Sequence, residues 1–479
     1  MADLKQEIKQ PVPPPTTNGQ ESYRDKLSTV DEEGKRIWIY PKKPSGPFYR
    51  ARTVVSIFLL AFLFGAPFIK VNGHPLILLN ILERKFIIFG LTFWPQDLHL
   101  FALALLTLFV FIILFTVVFG RVFCGWACPQ TIFMEMVYRK IEYLIEGDAN
   151  KQRALKKAPW TFEKIAKKTT KHAIFYGIAF LIGNTFLAYI IGVDNLFKIV
   201  TEPPTQHLGG FTAMIIFSAL FYGVFAFFRE QACTLVCPYG RLQGVLLDPN
   251  SIVVAYDFRR GEPRGKLRRN QPRDNYGDCI DCKLCVQVCP TGIDIRNGTQ
   301  LECVNCTACI DACNSVMTKI KKPKGLIRYS SYNGILQGVG LKLTPRIIGY
   351  SFVLIFLLTT LIFLLMTRAP VETTILRTPG VLYQETNDGK IQNLYNVQVV
   401  NKSYDDKSLS FKLLNKDGEV MLVSGDRLQV PREGLAESAL FVRIPKEEIQ
   451  GITIPIEIGV FNGEEKIETI KTNFLGPPQ

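Results

Sequence analysis

Histidine is scarce in this 479-residue chain: only His74, His99, His172 and His207 occur, scattered along its length. No pair is placed by spacing alone to ligate haem across a membrane, although His99 and His207 lie where an incoming metal could meet them. No G-x-G-x-x-G stretch opens a strand–helix unit, so a bound nicotinamide or flavin is not indicated. Nothing ahead of the first apolar run resembles a cleavable signal peptide. The polar residues 1 to 50, including "PVPPPTTNGQ", come first, and the run that follows is expected to act as an uncleaved anchor. Cysteine is missing from residues 367 to 479. That tail also lacks the basic bias of the chain, with 13 Lys or Arg against 16 Asp or Glu where the whole carries +14.

What is present is hydrophobicity in long runs. Val54 to Ile69, His99 to Gly120, Ala173 to Gly192, Phe211 to Phe228 and Ile347 to Met366 each approach the ~20 residues that cross a bilayer core. Lys and Arg crowd residues 1 to 52, 121 to 171 and 229 to 346 but are few at 70 to 98 and 193 to 210. By the positive-inside rule the rich segments are cytoplasmic, with the N-terminus inside and the C-terminus outside. The positive charge therefore answers to a membrane, not to nucleic acid. All twelve cysteines fall in the inner segments, where thiols stay reduced and clustered cysteines read as metal ligands.

Between the spans, residues 1 to 50 read as a mobile cytoplasmic segment. "HPLILLNILERKFIIFGLTFWPQD" is too charged to cross and reads as an interfacial hairpin or helix. "TIFMEMVYRKIEYLIEG" has apolar residues at helical spacing with Arg139, Lys140, Glu142 and Glu146 opposite, as in an amphipathic helix on the inner membrane surface. The polybasic "FRRGEPRGKLRRNQPR" suits anionic lipid headgroups. After the fifth span, "LYNVQVVNKS", "LSFKLLN", "ALFVRIP" and "ITIPIEIGVF" alternate apolar and polar residues, as expected of a small antiparallel β-sandwich.

The chemistry is concentrated in "GDCIDCKLCVQVCPTGIDIRNGTQLECVNCTACIDAC". Cys279, Cys282, Cys285 and Cys289 follow C-x2-C-x2-C-x3-C, and Cys303, Cys306, Cys309 and Cys313 repeat it. Three close cysteines wrap one cluster, and the fourth of each motif serves the other cluster. One 4Fe-4S set is thus Cys279, Cys282, Cys285 and Cys313; the second is Cys303, Cys306, Cys309 and Cys289. Zinc modules pair two C-x2-C knuckles across a longer gap instead. Asn314 stands where the second motif would usually carry proline, so a changed turn is expected there without loss of a cluster.

The other four cysteines form two C-x3-C-P motifs, "RVFCGWACPQ" after the second span and "REQACTLVCPYG" after the fourth. On a helix, Cys124 with Cys128 and Cys233 with Cys237 would each present two thiols on one face, with the helix ending at the following proline. If the spans pack together, four sulfurs converge. A copper site, a third iron–sulfur site, a redox dithiol and plain packing all remain open, since thiolates suit both copper and iron–sulfur. Met134 and Met136 are nearby thioethers, more usual as packing.

The order of "CGWACPQT", "CTLVCPYGRLQ" and "CPTGIDIRNGTQLECVNCTACIDAC", then one more span and a β-rich tail, resembles the cytochrome c oxidase accessory protein family, called CcoG, FixG or RdxA, over residues 35 to 479. The resemblance implies a multi-domain polyferredoxin of the bacterial inner membrane: polar residues 1–50, a membrane domain at 51–260, a ferredoxin module at 261–325, a linker and fifth span at 326–366, and an immunoglobulin-like periplasmic domain at 367–479. It also implies reduction of Cu(II) to Cu(I) for cbb-type cytochrome c oxidase. Cys124, Cys128, Cys233 and Cys237 would then handle copper as the catalytic set. Expected partners are copper ions, a copper chaperone or oxidase assembly factors, and an electron donor the sequence does not identify. The chain is also similar to the quinol-oxidising NapH and NosR membrane ferredoxins, which share C-x3-C-P, and a non-catalytic assembly scaffold is a third possibility.

Overall fold

Among the described residues, five helices are long and apolar enough to cross a membrane: Pro47–Phe68, Leu98–Phe119, Phe162–Ile191, Leu208–Phe228 and Pro345–Met366. They come from a computed structural model that describes residues 29 to 477, apart from 32, 72, 82–84, 268–274, 339, 341, 381 and 387. The stretch "PVPPPTTNGQ" and the middle of the polybasic run lie outside the described residues. Each helix coincides with one apolar run, but the first and third begin well before it. Pro47 starts the first at a position where its missing N–H costs nothing. Thr161 caps the third, its side chain accepting from the Lys164 N–H at 3.4 Å, so a basic turn precedes the apolar part.

The chain forms two compact units. The first contains residues 1–69, 78–80 and 101–359, and with them all twelve cysteines. In it, Val253–Tyr256 pairs antiparallel with Ile327–Ser330, clasping the two ends of the cysteine-rich module. Val254, Tyr256, Ile293, Ile295, Ile310, Met317, Leu326 and Ile327 form its core together with Cys279 and Cys285. Arg259 and Arg260, read from sequence as headgroup ligands, bond within this unit: Arg259 donates to the Leu336 carbonyl at 2.6 Å and Arg260 pairs with Asp278 at 2.6 Å.

The segment "TIFMEMVYRKIEYLIEG" is helical over Pro129–Thr131, Ile132–Tyr138 and Arg139–Ile145, the middle stretch wound as a π-helix. It is not a surface helix. Met134, Met136, Arg139, Glu142 and Glu146 are buried, because ion pairs, most of them with partners distant in sequence, neutralise the charges. Arg229 donates to both Glu142 oxygens at 2.9 Å, Arg139 pairs with Glu135 at 2.7 Å, and Lys168 reaches Glu146 at 2.8 Å.

The second unit contains residues 70–77, 81–100 and 360–479. Its two antiparallel sheets run Glu419–Leu422, Leu435–Pro445, Lys390–Asn401, Val371–Arg377 and Leu428–Val430, Lys407–Leu413, Thr453–Asn462, Glu465–Leu475, with Gln384–Glu385 also on Lys390–Asn401. Val371, Ile391, Tyr395, Val397, Leu409, Val442, Ile458 and Phe474 are among the side chains that fill the space between them. Tyr395 also donates to the Asn473 carbonyl at 2.8 Å. Residues 81–100 join this unit through Lys85–Ile88 and Leu91–Phe93, an antiparallel hairpin of the kind expected between the first two spans.

Asp97 lies at the centre of that attachment. Its carboxylate takes Lys402 Nζ at 2.6 Å and the Arg368 guanidinium, while Lys402 also reaches Glu372 at 2.6 Å. Burial alone would raise the Asp97 pKa, but hydrogen bonds from Lys402, Arg368 and the Trp94 N–H hold it below the usual carboxylate range. A depressed folded pKa adds stability above the unfolded value of about 4, which is lost as pH falls through the folded one. Asp97→Asn leaves Arg368 without a carboxylate and Lys402 with Glu372 alone, so it should destabilise this unit by about 3 kcal/mol and remove that acid sensitivity. Thermal melts from pH 3 to 7 measure both effects, and a variant that melts like the parent throughout would show the network to be incidental.

Candidate metal centres

Each ferredoxin motif folds the same way locally. Asp281 and Lys283 flank Cys282 with φ of 47° and 54°, and Asn305 and Thr307 flank Cys306 with φ of 53° and 65°. Left-handed residues at matching positions turn successive N–H groups into a concavity that favours an anionic sulfur cluster. A helix follows each triplet, Leu284–Gln287 in the first half and Ala308–Lys319 in the second. Asn314 explains the different lengths. It lies inside the longer helix, where proline would remove a backbone bond, and its side chain accepts from the Gly325 N–H at 2.9 Å.

The cysteines gather around two cavities. One is lined by Cys279, Cys282, Cys285 and Cys313, and another by Cys289, Cys303, Cys306 and Cys309, with Cys285 also on its wall. These are the two sets read from the crossed spacing. Burial pushes the thiols of Cys285, Cys303 and Cys313 up to about 12, so cluster binding must release their protons. The residues therefore fit two 4Fe-4S groups: two cysteine-lined cavities, each with a pair of left-handed residues flanking the middle cysteine of its triplet.

The C-x3-C-P motifs are not single helical faces. Cys124 lies in the short helix Val122–Trp126, whereas Cys128 is the N-cap of Pro129–Thr131. Cys233 lies in the π-turn Ala232–Val236, and Cys237 is the N-cap of Pro238–Leu246. In both motifs the proline begins a new helix, its fixed φ suiting the first position. Even so, the four thiols are neighbours. Burial pushes Cys124 up to about 11, with Arg121 opposing and Cys128 and Cys237 adding to the shift. Cys233 rises to about 12 from burial and the charges of Cys128, Cys124 and Cys237. No three His, Cys, Asp or Glu side chains among the described residues close as tightly as a single metal ion would hold them, and the ferredoxin cysteines are no exception.

Residues that spacing rules did not single out organise this place. Arg121, buried, donates through Nε to Gln243 at 3.0 Å and through Nη1 to the Leu301 carbonyl; Cys124 Sγ donates to the same Gln243 oxygen at 3.1 Å. Gly125 lies against the other cysteine module: a Cβ there would collide with the Val304 carbonyl oxygen and stand 2.8 Å from that of Asn305. Trp126 Nε1 donates at 3.0 Å to Tyr329, whose hydroxyl donates to the Asn305 carbonyl at 3.2 Å. The Cys124 loop thus abuts the loop that runs from Cys303 to Cys306. An arginine three residues before a C-x3-C-P cysteine and a glycine inside the motif were the available signals.

The remaining candidates lie elsewhere. His99 is exposed, His207 pairs with Glu202, and His172 Nδ1 meets the Tyr222 hydroxyl at 3.0 Å. The Met136 sulfur accepts from Thr53, consistent with packing.

Comparison with known proteins matches these regions. A family model described as a 4Fe-4S dicluster domain covers residues 228–332, one described as a 4Fe-4S binding domain covers 101–146, and one described as the IG-like fold at the C-terminal of FixG, putative oxidoreductase, covers 361–477. With five apolar helices beside them, they define a membrane-associated iron–sulfur electron-transfer protein with an immunoglobulin-like tail. The chain is 30% identical to the nitrogen fixation protein FixG of Rhizobium meliloti, covering 86% of this chain and 87% of that one. It is 34% identical to protein RdxA of Cereibacter sphaeroides, covering 78% and 81%, and 33% identical to RdxB of the same organism, covering 86% and 87%. It belongs to the FixG/RdxA family.

Proposed function

We propose that the chain delivers electrons singly to Cu(II) at the four C-x3-C-P thiols and releases Cu(I) for assembly of a cbb-type cytochrome c oxidase. The observation that carries this reading is the backbone contact at Gly125, which sets the Cys124 loop against the Cys303–Cys306 loop. Bound 4Fe-4S clusters supply electrons one at a time, matching the single electron that converts Cu(II) to Cu(I). Cys279, Cys282, Cys285 and Cys313 hold one group, and Cys303, Cys306, Cys309 and Cys289 the other. Cys124, Cys128, Cys233 and Cys237 offer soft sulfur, which favours copper in its reduced form. Two thiolates satisfy Cu(I), so the four need not close on one ion. Arg121 offsets the thiolate charge, and Gln243 fixes the Cys124 sulfur.

In this reading the N-terminus and ferredoxin face the cytoplasm of a bacterial inner membrane and the sandwich faces the periplasm, as the Lys and Arg asymmetry supports. The electron donor approaches the exposed Cys282. A copper chaperone or oxidase assembly factors take the product.

A second reading has one observation in its favour: the match described as a 4Fe-4S binding domain spans residues 101–146, whose cysteines are Cys124 and Cys128. The C-x3-C-P thiols would then hold a third cluster. Metal analysis of anaerobically purified protein separates the two. About eight iron atoms per chain, for two four-iron cubanes, with copper bound on addition, is the expected result. About twelve iron atoms, on the same arithmetic, and no copper binding would replace it with the second reading.

A further inference from the structure

The two cavities differ in the charges that face them. At the Cys279/Cys282/Cys285/Cys313 cavity the cations are either open to solvent or neutralised: Lys283 on its wall is exposed, Arg296 pairs with Asp281 at 2.7 Å and Asp294 at 2.6 Å, and Arg260 pairs with Asp278. Behind the wall of the Cys289/Cys303/Cys306/Cys309 cavity, two buried arginines are not neutralised. Arg52, only 3% exposed, donates through Nε to the Gly125 carbonyl at 2.6 Å, and its Nη2 is buried without a partner. Arg52 lines a small cavity together with Cys306, and Arg121 donates through Nη1 to the Leu301 carbonyl, two residues before Cys303. Among the described residues neither arginine has a carboxylate within ion-pair distance. Glu135, which lines a neighbouring cavity with Arg52 and Cys306, is taken by Arg139.

A buried guanidinium without a counter-charge costs several kcal/mol, so this arrangement needs an anion. Four thiolates around an iron–sulfur core supply one. Positive charge beside a cluster stabilises the more negative, reduced form, and net charge and hydrogen bonds to sulfur set cluster potentials. Both arginines also touch the C-x3-C-P loop, Arg52 at the Gly125 carbonyl and Arg121 beside Cys124.

We propose that Arg52 and Arg121 are positioning charges that hold the cluster of Cys289, Cys303, Cys306 and Cys309 at a higher reduction potential than its neighbour, making it the exit cluster towards the C-x3-C-P thiols. One electron from an external low-potential one-electron donor enters at the exposed Cys282 side. It then passes to the exit cluster, the entry cluster is reoxidised, and no proton or bond changes place. The proposal rests on the reading that electrons leave at the C-x3-C-P thiols. The ordering of potentials can nevertheless be measured without copper, so failure of copper reduction and failure of this ordering are separate results.

The test is a potentiometric titration of the anaerobic full-length protein with dithionite, followed by electron paramagnetic resonance. Arg52→Gln and Arg121→Gln should each move the higher midpoint to more negative potential and leave the lower one in place. Arg52→Lys, which keeps the charge, should stay close to the parent. Cys306→Ser should remove the higher-potential signal and leave the lower, which assigns the order even if a glutamine variant loses iron. Unchanged midpoints in glutamine variants with full iron, or loss of the lower-potential signal in Cys306→Ser, would overturn the proposal.

Discussion

Serine at Cys124 or at Cys237 is expected to stop Cu(I) production in protein that keeps its full iron content. Neither residue lines a ferredoxin cavity, so iron and cluster spectra serve as the internal control. A hydroxyl is a hard ligand where Cu(I) prefers a soft one. The loss should be on the order of a hundredfold in copper affinity, about 2.7 kcal/mol. The two positions are not equivalent in surroundings. Cys124 also donates to Gln243, so Cys124→Ser keeps that hydrogen bond and isolates the loss of sulfur. Cys237 caps the helix that begins at Pro238, where serine is a good N-cap, so the fold should tolerate it. Copper affinity and reduction equal to the parent, in either variant, would remove copper from these thiols.

A single methyl group at Gly125 should do nearly as much damage to electron delivery. The Cβ of Gly125→Ala would run into the Val304 carbonyl oxygen and crowd that of Asn305. Both are backbone atoms, so no side-chain rotation relieves the clash. Arg52 holds the Gly125 carbonyl and Arg121 holds Leu301, which ties the two loops and leaves them little freedom to part. The expected cost is about 1–3 kcal/mol of stability, as for overpacking elsewhere. Copper reduction should slow by roughly tenfold or more, since a displacement of about 1 Å can cost a hundredfold. Iron content and copper affinity should hold. An unchanged rate in a variant with full iron would show that electrons do not use this contact.

The parts legible in the sequence are those whose physics is local. A bilayer sets a length, so five apolar runs mark five long apolar helices, with errors at the starts of the first and third, where polar turns such as Thr161–Lys164 extend the helix. The ligand triplets lie within seven residues, and the crossed fourth members, Cys289 and Cys313, each line the cavity of the other motif's triplet. Four strands of the sandwich stood out by alternation. Val371–Arg377 and Glu465–Leu475 did not, because much of each is only partly buried or exposed and the apolar period is weak.

What escaped depends on partners far away in the chain. Arg139, Glu142 and Glu146 look like the wet face of a surface helix until Arg229, Glu230, Lys168 and Lys171 arrive from elsewhere. Arg52 read as a flanking charge before an apolar run, yet the helix begins at Pro47 and buries it. The C-x3-C spacing suggests one helical face, and the following proline reads only as a stop. Because it starts the next helix, the two thiols of each motif sit on either side of a break.

The central claim is electron delivery from the ferredoxin module to copper, and one single-turnover experiment tests it most directly. Protein reduced with dithionite and freed of excess reductant is mixed anaerobically with Cu(II) and a Cu(I)-specific chelator, with cluster absorbance and chelate colour followed together. The account predicts that the clusters reoxidise as Cu(I) appears, one copper per electron lost. Clusters that stay reduced in the presence of Cu(II), or Cu(I) that forms equally fast in Cys124→Ser, would contradict it.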